Sequence, residues 1–176
     1  MGIENIRLGT CKVLLGGTDG VGGTDMGLTI GGVEVSVETA THETMVDQFG
    51  DTPVKSFIQG RNVKVTMNLA ETTVDKLAAL MPGATLLETG GTRVDVTTAV
   101  GTDLFAIAQT LTLHPTNLAD ADASEDFTLP KAATAGAINF AYKKDDERVF
   151  TAEFIGFPED GTGVLFSYGD PAATEA

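Results

Sequence analysis

Apolar and polar residues alternate along several short stretches of the chain, a pattern typical of strands that bury one face. In the clearest stretch, Val33, Val35 and Val37 alternate with Glu34, Ser36 and Glu38. Further strands are predicted at residues 12–15, 62–69, 93–98, 107–115, 138–142, 149–157 and 165–168. The Asp-Asp pair at 145–146 predicts a hairpin between two of these strands. The chain is therefore predicted to be mainly β, as a β-sandwich or β-barrel-like domain.

One segment has the period of a helix instead. Thr72, followed three residues later by Asp75, is a variant of the capping box that begins a helix. Apolar residues then fall on one face at helical spacing, at Val74, Leu77, Ala78 and Met81. Pro82 and Gly83 end the segment. The sequence predicts one flanking helix at residues 72–81, packed with its apolar stripe on the sheet.

A long loop without a strand or helix pattern is predicted at residues 39–53. Loops of this length are uncommon in compact domains and are usually functional. Three apolar side chains lie along it, Met45, Val46 and Phe49, and Asp51 and Pro53 shape its return. Apolar side chains at a loop tip indicate a contact with another protein. The alternative is a loop that folds back and buries these residues in its own domain.

The composition fits one domain at residues 1–169, followed by a C-terminal tail at 170–176 that is predicted to be frayed. The 176 residues contain 25 Asp and Glu against 11 Lys and Arg, a net charge of −14. Proteins that grip nucleic acid or anionic lipid need the opposite balance. The sequence has no apolar run long enough for a bilayer, no secretion signal at its start and a single cysteine, Cys11. These features predict synthesis and folding in a reducing cytoplasm.

No motif in the sequence carries the chemistry of an enzyme. The glycine-rich segment 16–32 lacks the Gly-Lys-Ser/Thr of a phosphate loop, and residues 120–131 lack the glycine and the final glutamate of a calcium loop. His42 begins a zinc-protease-like motif whose second histidine is missing, and His114 is the other histidine of the chain. Ser167 lies outside a nucleophile motif. We therefore predict a non-enzymatic protein with no catalytic, metal-binding or cofactor-binding residues.

Several segments follow one another in a recognisable order along most of the chain. They are LGTCKV at 8–13, LTIGGVEV at 28–35, GDTPVK at 50–55, GRNVKV at 60–65, the predicted helix, and RVFTAEFIG at 148–156. In this order and spacing the chain resembles the major tail tube proteins of bacteriophages with long, non-contractile tails. Related folds occur in the tubes of contractile tails and of type VI secretion. The resemblance implies a structural protein of the virion tail, made and assembled in the host cytoplasm.

The resemblance also implies a mode of assembly. Such proteins form six-membered rings that stack into a hollow tube, with strands of every subunit in a continuous inner β-barrel and with the long loop reaching the neighbouring ring. Phage DNA passes through the lumen without tight binding, and the tape-measure protein, the tail terminator and the tail-tip proteins are the other partners. In such a tube the polar face formed by Glu34, Ser36 and Glu38 would line the lumen, with Lys64 paired to Glu34 or Glu38. The alternative places these residues in bulk solvent.

Other classes of function compete with this interpretation. A capsid decoration protein, or another small virion protein, is also β-rich and non-enzymatic, but it binds a capsid lattice and does not stack on itself. A monomeric carbohydrate-binding module is disfavoured because aromatic residues make up 6% of the chain and tryptophan is absent. A hydrolase is disfavoured because the sequence offers no nucleophile–base pair.

Overall fold

Antiparallel strands make up most of the fold, as the alternating pattern predicts. The computed structural model describes residues 9–17 and 23–173. In the order of the chain, the elements are β1 (Cys11–Leu15), β2 (Thr24–Asp25), β3 (Thr29–Met45), β4 (Pro53–Leu69), α1 (Val74–Leu80), β5 (Ala84–Leu87), β6 (Arg93–Val96), β7 (Gln109–Pro115), β8 (Phe127–Thr134), β9 (Phe150–Phe157) and β10 (Ser167–Tyr168). The predicted mainly β class with a flanking helix is confirmed.

One sheet holds most of these strands, in the order β2-β1-β7-β8-β9-β4-β3, and β10 pairs with β8 beside this path. All of its pairings are antiparallel. β5 and β6 form a separate two-stranded sheet. β3 lies at one margin of the main sheet, and among the described residues its outer edge pairs with no other strand.

The core lies on one face of the main sheet. Its side chains alternate along the strands: Val63, Val65, Met67 and Leu69 on β4, Phe150, Ala152 and Phe154 on β9, Leu111 and Leu113 on β7, and Val13 and Leu15 on β1. Leu80 of α1 and Met26, next to β2, are fully buried in the same cluster. Removing this apolar surface from water is the main stabilising term of the fold. We call the main sheet with this core the body of the molecule, and the outer parts of β3 and β4 extend from it.

The helix is shorter than the predicted 72–81, because it spans Val74–Leu80 and its cap lies one residue later than predicted. Its N-cap is Thr73, whose hydroxyl accepts the backbone N–H of Lys76 at 3.4 Å. Thr72 is not the cap, because its hydroxyl accepts instead from Arg148 Nε at 2.7 Å. α1 has seven residues, and its buried anchor is Leu80, which the predicted apolar stripe omitted. Within residues 9–17 and 23–173, no helix has both the length and the apolar character needed to cross a membrane.

The prediction of a long loop at residues 39–53 is wrong, because most of this segment belongs to two paired strands. β3 continues through Met45, β4 begins at Pro53, and only residues 46–52 connect them, with a single 3-10 turn at Asp47–Phe49. The two strands pair from Thr29 and Leu69 out to Met45 and Pro53, with register shifts along the way. Alternation reveals a strand only when one face is buried, and this stretch of β3 is largely exposed. That is why the polarity pattern gave no sign of the strand.

Two other predictions also need correction. Residues 138–142 are not a strand of a hairpin, because the only pairing there among the described residues is an isolated bridge between Asn139 and Thr151. Aromatic packing holds this segment instead, since the ring of Phe140 lies 5.2 Å from that of Phe150. The strand β8 was missed, because Pro130 and Lys131 interrupt the alternation there. The predicted strands at 12–15 and 149–157 are confirmed to within one residue. The predicted strand at 62–69 lies within β4, which begins nine residues earlier, at Pro53.

Candidate assembly surface

The outer part of the β3–β4 hairpin projects from the body as an arm. We define the hairpin arm as residues 39–60, and all of its residues except Thr44 and Val46 are exposed. The backbone ladder continues along it, with a register shift between Ala40 and Thr41 that is typical of a β-bulge. Gly50 closes the tip with a positive φ of 60°, a conformation that glycine adopts without strain. Local backbone pairing, not core packing, therefore shapes the arm.

The hairpin arm presents apolar side chains to solvent. Phe49 at the tip is 65% exposed, and Met45, Val54, Phe57 and Ile58 are exposed as well. Of the residues predicted for this region, Val46 is half-buried, and Asp51 and Pro53 are exposed at the return into β4. The arm thus does not bury Phe49 or Met45 in its own domain. Apolar surface that protrudes in this way is typical of a site for another protein.

Sequence reasoning missed the contribution of β4 to the hairpin arm. Val54, Phe57 and Ile58 extend the apolar surface from the tip toward the body. Phe57 pairs across the ladder with His42, and Ile58 pairs with Thr41. Adjacent residues of a strand point to opposite faces, so the neighbours Phe57 and Ile58 give the arm an apolar side chain on both faces. An adjacent pair of large apolar residues within a polar stretch is the signal that was available for finding them.

No protein-family model matches this chain, and no curated protein matches it. The resemblance to tail tube proteins therefore stays a prediction.

The free margin of β3 continues the exposed surface from the arm onto the body. Val33, Val35 and Val37 pair with Met67, Val65 and Val63 of β4, so they lie on the core face of the sheet. Val33 packs against the core, but Val35 is 36% exposed and Val37 is 43% exposed. An edge strand with unpaired backbone groups and apolar side chains is a ready template for pairing with a strand of another chain.

The opposite face of β3 is polar and acidic. Glu34, Ser36 and Glu38 lie there, with Glu34 and Glu38 exposed and Ser36 half-buried. Lys64 of β4 lies directly opposite Ser36, and its Nζ is 3.5 Å from Glu153 Oε1 on β9. The predicted pairing of Lys64 with Glu34 or Glu38 is therefore replaced by a pairing with Glu153, which leaves both glutamates of β3 without this ammonium. On this face of β3, β4 and β9, the carboxylates of Glu34, Glu38 and Glu153 therefore outnumber the single ammonium group of Lys64.

The acidic segment 118–126 is bound into the fold by two side-chain contacts. The Lys12 Nζ donates to Asp120 Oδ1 at 2.5 Å, and this contact holds the pKa of Asp120 below its ordinary value. Asp126 and His114 are both buried, with 2.7 Å between Asp126 Oδ1 and His114 Nδ1.

Within residues 9–17 and 23–173, no group of three His, Cys, Asp or Glu side chains is arranged to hold a metal ion. Part of the glycine-rich segment, residues 18–22, lies outside the described residues.

Glu71 joins the start of β3 to the start of α1. Its Oε1 accepts the backbone N–H of Leu28 at 3.2 Å, and its Oε2 accepts from Lys76 Nζ at 2.6 Å. The hydrogen bond from Lys76, followed by that from Leu28, holds the pKa of Glu71 below its ordinary 4.5. A carboxyl group whose pKa is lowered on folding stabilises the fold above its unfolded pKa. It loses that contribution as the pH falls through the folded pKa.

Replacing Glu71 by glutamine is accordingly expected to lower the Tm near neutral pH and to have little effect in strong acid, where the parent carboxyl group is already protonated. Thermal unfolding followed by circular dichroism at about pH 7 and about pH 2.5 measures both values. Glu88→Gln, at an exposed position, is the matched control and should leave the Tm unchanged at both pH values. An equal loss for Glu71→Gln at the two pH values would contradict the assigned role of this carboxylate.

Proposed function

We propose that this protein is a structural subunit that assembles with copies of itself into closed rings, and that the rings stack into the hollow tail tube of a virion. The observation that supports the proposal best is the margin of β3, which pairs with no other strand within residues 9–17 and 23–173 and continues into an exposed hairpin arm with apolar side chains on both faces. One part of this surface suits pairing within a ring. The other part suits contact between rings.

Ring formation follows from the margin of β3. Pairing this margin with a strand of the next copy satisfies its free N–H and C=O groups and covers Val35 and Val37. The contact would join β3 of one copy to a different strand of the next copy, so it is a head-to-tail contact. Such a contact produces a closed ring when a whole number of copies completes a full turn. A sheet continued from copy to copy in this way closes into a barrel with no free edge. Six copies are the expected number.

Stacking follows from the hairpin arm. At about 3.3 Å per residue, the arm carries its tip on the order of 25 Å past the end of the body. A contact that uses the tip on one ring and a different surface on the next propagates as an open filament. The completed tube would hold the tape-measure protein during assembly and would bind a tail terminator and tail-tip proteins at its ends.

Passage of DNA requires a wall that does not hold phosphates. The polar face of β3 carries Glu34 and Glu38. If the face that carries the valines is covered by the neighbouring copy, the polar face is the one that can line the lumen. Acidic side chains repel the polyanion, so DNA slides through without being bound. The net charge of −14 per chain agrees with this requirement.

Reversing this charge with Glu34→Lys and Glu38→Lys is expected to permit assembly, to slow DNA ejection and to make assembled tubes retain DNA. Lysine ammonium groups release counterions from the phosphates, so the gain in affinity should be at least about tenfold at low salt and should vanish at high salt. Fluorescence polarisation of a short labelled duplex, mixed with assembled tubes, measures it. The same charge change at Glu88 and Glu147, both exposed elsewhere, is the control. Unchanged DNA retention and ejection kinetics would place Glu34 and Glu38 off the lumen.

The mass of the assembled particle tests the proposal in solution. Size-exclusion chromatography with light scattering, over a range of protein concentrations, should detect a species of six times the chain mass of 18.3 kDa and then larger multiples of it. A capsid decoration protein that binds only its lattice would stay at the mass of the free subunit or of a small, non-growing oligomer.

A further inference from the structure

The outer edge of β4 lacks a partner strand along the hairpin arm, as the margin of β3 does. β9 pairs with β4 only from Lys64 to Leu69. Among the residues that the structure describes, no strand pairs with the earlier stretch of this edge, from Pro53 to Val63. The arm therefore has two free edges, one on each of its strands.

Two paired strands without a core are a weak structure by themselves. An isolated hairpin is at best marginally stable in water, and three or more paired strands are usually needed for independent stability. The arm has no core of its own, since all of its residues except Thr44 and Val46 are exposed. Its two edges carry the backbone N–H and C=O groups that favour the addition of further strands. We therefore expect the assembled protein to place a strand on each side of the arm.

We propose that the arms of neighbouring copies pair edge to edge, with the margin of β3 in one copy added to the outer edge of β4 in the next. The proposal rests on the ring proposed above, and it names the strand that accepts the margin of β3. Every strand of every arm then has a neighbour on both sides, so the arms of one ring form a closed cylinder of strands. The tip at Asp47–Phe49 lies beyond these strands and stays available to the next ring.

The direction of the strands agrees with this pairing. β3 and β4 are antiparallel within one chain. In a ring whose axis runs along the arms, rotation leaves all copies of β3 running in one direction and all copies of β4 running in the opposite direction. Pairing of β3 with β4 of the next copy is then antiparallel, as it is within the hairpin. Pairing of β3 with β3 would instead join identical edges around a two-fold axis and would end at a dimer.

The two edges of the arm also differ in charge. Glu43 lies on β3 and Lys55 lies on β4, and both are exposed. Within residues 9–17 and 23–173, neither side chain forms an ion pair. A contact of β3 with β4 brings opposite charges together, whereas a contact of β3 with β3 brings like charges together. The charges therefore favour the head-to-tail pairing.

Exposed apolar side chains of the two edges lie on the same face of the hairpin. Val37 of β3 is 43% exposed, and Thr41 lies on the same face because it is four residues further along the strand. Ile58 of β4 pairs with Thr41 and is 60% exposed. A sheet that continues from copy to copy keeps its two faces, so Ile58 of one copy and Val37 of the next can shield each other from water.

Disulfide formation between copies tests the pairing. Opposite residues of antiparallel strands have Cβ atoms about 4.5–5.5 Å apart, close to the separation of about 3.5–4.5 Å in a disulfide. In a Cys11→Ser background, one preparation carries Thr41→Cys on β3. It is mixed, under assembly conditions and mild oxidation, with each of four preparations that carry a single cysteine on β4, at positions 55 to 58. Mass spectrometry then measures the yield of cross-linked dimers of the two variants.

The yield should alternate along β4, because adjacent side chains of a strand point to opposite faces. Ser56→Cys and Ile58→Cys share the face of Thr41, so they should give at least about fivefold more cross-linked dimer than Lys55→Cys and Phe57→Cys. Random collisions between exposed cysteines would give no such alternation.

Ala141→Cys, exposed on another segment, replaces Thr41→Cys in the control mixtures and should give low yields at all four positions. Thr39→Cys, exposed on the same face of β3, repeats the scan if Thr41→Cys weakens assembly. Rings of the unmodified chain combined with equal yields on both faces, or with a dominant disulfide between two Thr41→Cys chains, would overturn the pairing and leave the proposed function standing. Absence of any assembly from the unmodified chain would overturn the proposed function and this pairing with it.

Discussion

Replacing Phe49 by aspartate is expected to leave the chain folded and to abolish the growth of stacked tubes. Phe49 is 65% exposed in the single chain, so the change removes little burial from the fold itself. In the stacked state, losing a buried phenylalanine costs about 1.5–3 kcal/mol per contact. Placing an unpaired carboxylate in an apolar site costs several kcal/mol more. Every copy in a ring would make this contact, so the free-energy cost of the substitution would be incurred once for each copy in the tube.

Electron microscopy of the assembled sample measures tube growth, and circular dichroism with thermal unfolding checks the fold of the variant. The matched control is Val100→Asp, since Val100 is 92% exposed and lies outside the proposed contacts. Tubes of normal length from Phe49→Asp would show that the arm tip makes no essential contact between copies. Loss of tubes with both variants would point to the added charge alone.

Val35→Lys combined with Val37→Lys is the prediction with the second-largest effect, and it concerns ring formation. Both side chains lie on the core face at the free margin of β3, where the next copy would cover them. Lysine at an edge strand opposes pairing with another chain, because its ammonium group must stay hydrated. A loss on the order of 2–3 kcal/mol for two valines corresponds to roughly 30- to 200-fold weaker association of each pair of copies.

Light scattering after size-exclusion chromatography measures this change as a shift from the ring mass to the mass of a single chain. Leu87→Lys with Val96→Lys is the matched control, because these side chains are similarly exposed and lie on the separate β5–β6 sheet. Rings of unchanged stability with the β3 variant would mean that the margin of β3 lies outside the interface. A lowered Tm in the β3 variant alone would assign part of the effect to the fold.

The alternation of polarity predicted the body of the fold because each strand there buries one face. β4 from Val63 to Leu69 and β9 gave this pattern clearly, and both are strands in the structure. The hairpin arm gave no such pattern, because a strand exposed on both faces has no reason to alternate. The helix cap was misassigned by one residue, since Thr72 and Thr73 are both capable caps and the contact with Arg148 that occupies Thr72 comes from a distant segment.

The candidate surface was only partly visible in the sequence. The sequence drew attention to Met45 and Phe49, and both are exposed, yet it did not draw attention to Phe57 and Ile58, which lie outside the predicted loop. The pairing of Lys64 with Glu153 depends on β9 lying beside β4, which no local pattern reports. The proposed orientation of Glu34 and Glu38 toward a lumen depends on the arrangement of copies in a ring, so no local sequence pattern encodes it.

Negative-stain electron microscopy of the concentrated wild-type protein, alone and with tail-tip components added to initiate growth, tests the central claim most directly. The account predicts rings with a central hole, stacked into hollow tubes whose length grows with protein concentration. Uniform single-chain particles in both samples, at every concentration tried, would contradict it.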